Sequence, residues 1–138
     1  MFIGELLIRK KDVRNKIKEL RSFIQSLTDS EVDNTDLHSK ALSKLFDLLD
    51  KYQDYSIILD KANMENSILI GETEISVSNA LRLKSTIKGK MEALSDSING
   101  SDYSIDVFDL MDKRDALIEE YILITKTITT NDWKVDLE

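Results

Sequence analysis

The apolar positions along this chain fall into four stretches with the three-and-four spacing of an amphipathic helix. The first runs Ile3, Leu6, Val13, Ile17, Leu20, Ile24 and Leu27, with Lys10 where an apolar residue is due. Such alternation marks the seam of a bundle or coiled-coil helix and predicts a helix over residues 2–28, about 40 Å long at ~1.5 Å per residue. The polar stretch from Thr28 to Thr35 ends it. A second helix over 36–63 carries Leu42, Leu45, Leu49, Tyr52, Ser56 and Leu59, with a parallel stripe of Ala41, Leu48, Tyr55 and Ala62. Two stripes make a wide apolar face, as on an inner helix or one at a subunit interface. The pattern then breaks. Ser67 to Ile70, a glycine at 71 and a return at Ile75 suit a small hairpin or an extended loop. Ser76 reads as the N-cap of a third helix over 77–96, with Asn79 in the place where a full capping box has Glu or Gln. Its seam is Val77, Ala80, Lys84, Ile87, Met91 and Leu94. A turn-forming stretch from Ser97 to Asp102 precedes a fourth helix over 106–129, with Val107, Leu110, Arg114, Leu117, Tyr121, Ile124 and Ile128. A polar tail from Thr129 to Glu138 holds the single tryptophan, Trp133. The expected fold is therefore all-α: a bundle of four long helices in one domain spanning 1–138, with a short loop or hairpin between helices 2 and 3.

Composition narrows what such a domain does. The 138 residues include no proline and only four glycines, in keeping with a mostly helical chain. There is no cysteine and one histidine, His38, which removes thiolate zinc sites, cysteine nucleophiles and multi-histidine metal sites. His38 sits among Asp36, Ser39 and Lys40 and is expected on the solvated surface. Net charge is −7, which speaks against nucleic-acid polymers and anionic membranes as partners. The amino-terminal apolar stretch contains Glu5 and precedes the first basic residue, the reverse of a signal peptide. With no apolar run near the ~20 residues of a spanning helix, a cytoplasmic protein is expected. No phosphate loop or nucleophile elbow occurs. Asp109, Asp112 and Asp115 step by three along helix 4 without a histidine, which fits a solvated face better than a metal site. No enzyme, cofactor or metal is expected.

The charge pattern supplies the candidate chemistry. Three seams hold a basic residue at an apolar place, Lys10, Lys84 and Arg114, and helix 2 holds Ser56. In an up-down-up-down bundle Lys10 and Lys84 would lie at one height, ~10 Å above the same end, with Ser56 near their level and Asn63 and Asn66 below it. Two readings fit. Long basic side chains bury their stems at seam edges and reach water with their charge, setting register or assembly. Alternatively, the cations converge on a compact phosphate-bearing ligand, with Asn63 and Asn66 for a base or ribose and the helix start at Ser76 for a phosphate. Trp133 is either an anchor against a neighbouring subunit or a platform for a base.

The order Ala62-Asn63-Met64-Glu65-Asn66, Gly71-Glu72-Thr73, Val77-Ser78-Asn79-Ala80-Leu81-Arg82 and Asn131-Asp132-Trp133 resembles the septicolysin-like family of small bacterial and phage proteins over nearly the whole chain. The matching positions are Asn63, Asn66, Gly71, Thr73, Ala80, Leu81, Lys84, Asn131 and Trp133, and Asp132 is an insertion between Asn and Trp. The resemblance implies an α-helical homo-oligomer, a hexamer, with Arg82 beside Lys84 as a further candidate ligand. It also brings a cytolysin as an alternative function. For a small oligomeric phage protein with polar pockets, the resemblance points to sequestering a nucleotide signal of bacterial immunity. A cyclic ADP-ribose isomer, an ADP-ribose conjugate or a cyclic dinucleotide would suit. The other reading is a structural, oligomeric interaction protein with no small ligand.

Overall fold

The computed structural model describes residues 1–100 and 106–137. The expected loop positions Ser101 and Asp102 lie outside them. Four helices carry the chain, α1 (Ile3–Thr28), α2 (Thr35–Glu65), α3 (Val77–Asn99) and α4 (Val107–Asp132). Between α2 and α3, strands β1 (Ser67–Ile70) and β2 (Thr73–Ser76) pair antiparallel, Ile68 opposite Ile75 and Ile70 opposite Thr73. The fold is thus mostly helical with one small sheet. No helix among the described residues is long and apolar enough to cross a membrane.

The chain divides into two compact units, residues Met1–Ala62 with the last residues from Asp136, and residues Asn63–Val135. In the first, α1 and α2 pack through Val13, Ile17 and Leu45, flanked by Leu20, Ile24, Leu48, Leu49, Tyr52 and Tyr55. The turn between them closes on itself. Asn34 Nδ2 donates to the Leu27 carbonyl at 2.9 Å, and the Asp33 carboxylate accepts from the Thr35 N–H at 3.2 Å, which starts α2 one residue earlier than expected. Those Thr35 bonds, side chain first and backbone second, hold the Asp33 carboxyl below its ordinary range. In the same unit Phe2 and Asp136 form an isolated antiparallel bridge.

The second unit is built on Ile68, Val77, Ala80, Ile87, Ile124 and Ile128, all buried, with Met91, Leu117 and Tyr121 against them. Val77 follows β2 directly, and its N–H donates to the Asn66 carbonyl at 2.9 Å, so hairpin and α3 are joined at the root. The two-residue loop Gly71–Glu72 has φ +64° at Gly71 and no positive φ at any described non-glycine residue. That is the II′ pattern, whose twist matches the strands it joins. Gly71→Ala leaves open space around the added Cβ but keeps the left-handed backbone. It is expected to destabilise the hairpin by about 1–2 kcal/mol, read as faster amide exchange in β1 and β2 than in α3.

Three helix ends differ from the sequence expectation. Helix α2 runs two residues past 63, with Asn63 itself buried, and stops where Ser67 enters β1. Helix α3 runs three residues past 96: Ser97 Oγ donates to the Ala93 carbonyl, and Gly100 closes the helix with its N–H on the Asp96 carbonyl. Helix α4 continues through Thr129 to Asp132. Its β-branched residues are poor helix formers, but burial of Ile124 and Ile128 decides locally, and the Thr127, Thr129 and Thr130 hydroxyls each bond a carbonyl four residues back. Trp133 is accordingly the residue that closes α4, 49% exposed, rather than part of a free tail.

Candidate functional site

Every seam position of the four helices is buried or half-buried, including the basic ones. Of the 19 Lys and Arg residues, all described, only Lys10, Lys84 and Arg114 are half-buried, and the rest are exposed. Each of the three has its own local company. In the first unit Lys10 Nζ stands 5.1 Å from the centre of the Tyr52 ring. Ser56, one turn along α2, donates its hydroxyl to the Tyr52 carbonyl at 2.9 Å. In the second unit Lys84 Nζ stands 5.6 Å from the Tyr121 ring. The π-face attracts an ammonium that the seam takes partly out of water. Arg114 Nη1 donates to Ser95 Oγ at 3.4 Å, while its Nε is buried with no partner among the described residues.

The other expected site residues are distributed by local structure. Ser76 caps α3, its Oγ accepting from the Asn79 N–H at 3.1 Å, so that hydroxyl serves the helix. Asn66 is half-buried at the root of the hairpin and Arg82 is exposed on α3. His38 is half-buried rather than solvated, its Nε2 3.4 Å from Thr28 Oγ1, because the start of α2 stands beside the end of α1. Asp109, of the acidic steps on α4, pairs with Lys113 at 3.0 Å. Among the described residues no group of three or more His, Asp or Glu is placed to hold a metal ion.

Asp132, the insertion in the Asn–Trp tail, is the electrostatic partner of Lys84. Burial raises its carboxyl above the ordinary 3.8, and the Lys84 charge offsets only part of that. A carboxylate in the last turn of a helix also opposes the helix dipole. With its folded value raised, Asp132 favours the fold most at acid pH, and that contribution is lost as pH rises from 3.8 through the folded value. Asp132→Asn is therefore expected to raise the melting temperature at pH 7 by about 1–3 °C after solvent screening is allowed for. The gain should shrink toward pH 4, which thermal unfolding across pH will show.

A concave feature of the second unit lies elsewhere, where β1 and β2 face the carboxyl-terminal half of α4. It is an open groove of about 730 Å³. Ile68, Leu69 and Leu123 supply its apolar surface, and Glu74, Lys126, Asn131 and Lys134 its polar handles. Leu69 is 63% exposed and Leu123 49%, so this apolar surface faces water. Thr127 and Thr130 also line the groove, but their hydroxyls are spent on the carbonyls of Leu123 and Lys126. Asn131 differs: its Nδ2 is buried without an acceptor among the described residues. Leaving a buried donor unpaired costs about 1–3 kcal/mol. Lys126 and Asn131 come from the last two turns of α4, and Lys134 from the turn that follows it. Glu74, Lys126 and Lys134 lie outside the seams; Asn131 continues the α4 spacing past Ile128, and its signal in the sequence came through the Asn–Trp tail.

No family model and no curated protein matches this chain. A solved structure does: the crystal structure of a functionally unknown conserved protein from Corynebacterium diphtheriae, with a TM-score of 0.86, 16% sequence identity, and coverage of 100% of this chain and 99% of that one. At that identity the likeness establishes a shared fold.

Proposed function

We propose that this protein binds a small anionic ligand of nucleotide size and performs no chemistry on it. The observation that carries this reading is the groove of the second unit, with two lysines, and an amide buried without an acceptor among the described residues, beside exposed apolar side chains. Its volume falls within the ~300–1,000 Å³ typical of small-molecule sites. Lys126 and Lys134 suit phosphates, Asn131 and Glu74 suit the donors and acceptors of a base or ribose, and Leu69 and Leu123 suit an apolar ring face. Sequestering a nucleotide signal of bacterial immunity, as the septicolysin-like resemblance implies for a phage protein, is the narrower form. Calorimetric titration against cyclic dinucleotides and ADP-ribose derivatives tests it. Submicromolar binding of one member, recovered intact after the protein is denatured, supports the reading, and no heat from any member removes it.

A second reading, an oligomeric interaction protein without a small ligand, is favoured by a different observation. Helix α2 leaves Phe46 and Ile57 more than half exposed, with Ile58 beside them at 44%. Large apolar side chains left in water along one helix are the kind that an association surface covers. A solution mass by light scattering that is a multiple of 15.8 kDa would support it.

A further inference from the structure

Charge is distributed unevenly along α1. Residues 9–18 contain Arg9, Lys10, Lys11, Arg14, Lys16 and Lys18 against the single acid Asp12, a local balance of +5 in a chain of net −7. Asp12 is already taken by Lys16 at 2.9 Å. Lys10, Lys11 and Arg14 make no ion pair among the described residues. Their neighbours three and four places along the helix include no acid, and Arg14 instead has Lys10, Lys11 and Lys18 at those places. Like charges at such spacing repel, so this face of α1 is held under electrostatic strain that an anion would relieve.

These three cations are gathered round a hollow. Leu7, Lys10, Lys11 and Arg14 share one helical face and, with Tyr52 of α2, line an open hollow of about 280 Å³ within the first unit. The Tyr52 ring holds the Lys10 ammonium at 5.1 Å, fixing one charge at the wall. Three cations within about 6 Å of helix rise define a short, dense positive site, not a track for a polymer. We propose that this hollow binds a diphosphate group, whose several charges match three cations and whose size suits the space. It is a second anion site, independent of the groove in the other unit. The group can arrive as free pyrophosphate or on a nucleoside diphosphate.

Titration of the full chain with pyrophosphate, ADP and adenosine tests the assignment. Pyrophosphate and ADP are expected to bind at micromolar level and adenosine not at all; tighter ADP than pyrophosphate identifies a nucleotide, equal affinities the free anion. Lys11→Gln with Arg14→Gln, both exposed, should weaken pyrophosphate by about 100-fold, since charge-assisted contacts are among the strongest a side chain offers. Lys88→Gln with Lys90→Gln removes the same charge from exposed α3 positions and should leave binding unchanged. Equal weakening by both pairs, or no heat from pyrophosphate at millimolar concentration, overturns the proposal. Circular dichroism confirms that each variant is folded. Charge reversal at Lys126 and Lys134 separates this site from the groove, since it should not alter pyrophosphate binding.

Discussion

Ile124→Ala is expected to destabilise the second unit by about 2–5 kcal/mol. Ile124 is 2% exposed and belongs to the cluster that joins hairpin, α3 and α4. Two further members of that cluster, Val77 and Ala80, are 1% and 0% exposed, and Ile87 is 3% exposed. These neighbours are all buried themselves, so the vacancy left at Ile124 is closed off from water. The cost should therefore approach the upper part of the range, where surroundings fail to collapse. Chemical denaturation would show it as a lower midpoint at similar slope. Val32→Ala, at a position 74% exposed in the α1–α2 turn, removes apolar atoms from water rather than from a core and should change stability by less than about 0.5 kcal/mol. Similar losses for the two would mean that the described cluster is not what holds the unit together.

The second large effect concerns binding. Lys126→Glu with Lys134→Glu reverses both cations of the groove while sparing its apolar wall and the α4 seam. Hydrogen bonds to charged groups contribute about 1.5–3 kcal/mol each, so losing two should weaken an anionic nucleotide by more than about 100-fold. Both positions are exposed, and the variant should fold. Calorimetry on the ligand found in the panel reads the effect directly, and Lys126→Arg should retain most of the affinity because the charge remains. Unchanged affinity in the double reversal would place the ligand outside the groove.

Helix periodicity reported the interior faithfully. The spacing that singled out Lys10, Lys84 and Arg114 picked the three basic residues that are half-buried, because a seam position is turned from water whatever side chain occupies it. Ser76 was legible as a cap for the same kind of local reason. Helix ends were less so: the Thr-rich end of α4 has weak local propensity, and only burial of Ile124 and Ile128 carries it to Asp132. The groove was hidden more deeply. Glu74 lies on a strand, Lys126 lies off the seam of α4, and Lys134 lies past the end of that helix, so they meet only because the hairpin turns back onto it. Asp132 looked like an interruption of a motif; in the fold it is the carboxylate that answers Lys84.

Both units draw their packing from elements adjacent in sequence, α1 with α2, and the β-hairpin with α3 and α4. Chains dominated by such local contacts have little loop entropy to overcome and reach the native state in roughly microseconds to milliseconds. The bridge between Phe2 and Asp136 is the exception, and the nearby contact from Met1 to Asp136 closes 135 positions of chain. Such a closure is the slowest to be reached by chance. The joined termini therefore carry a larger closure cost in chain entropy than any contact between adjacent elements.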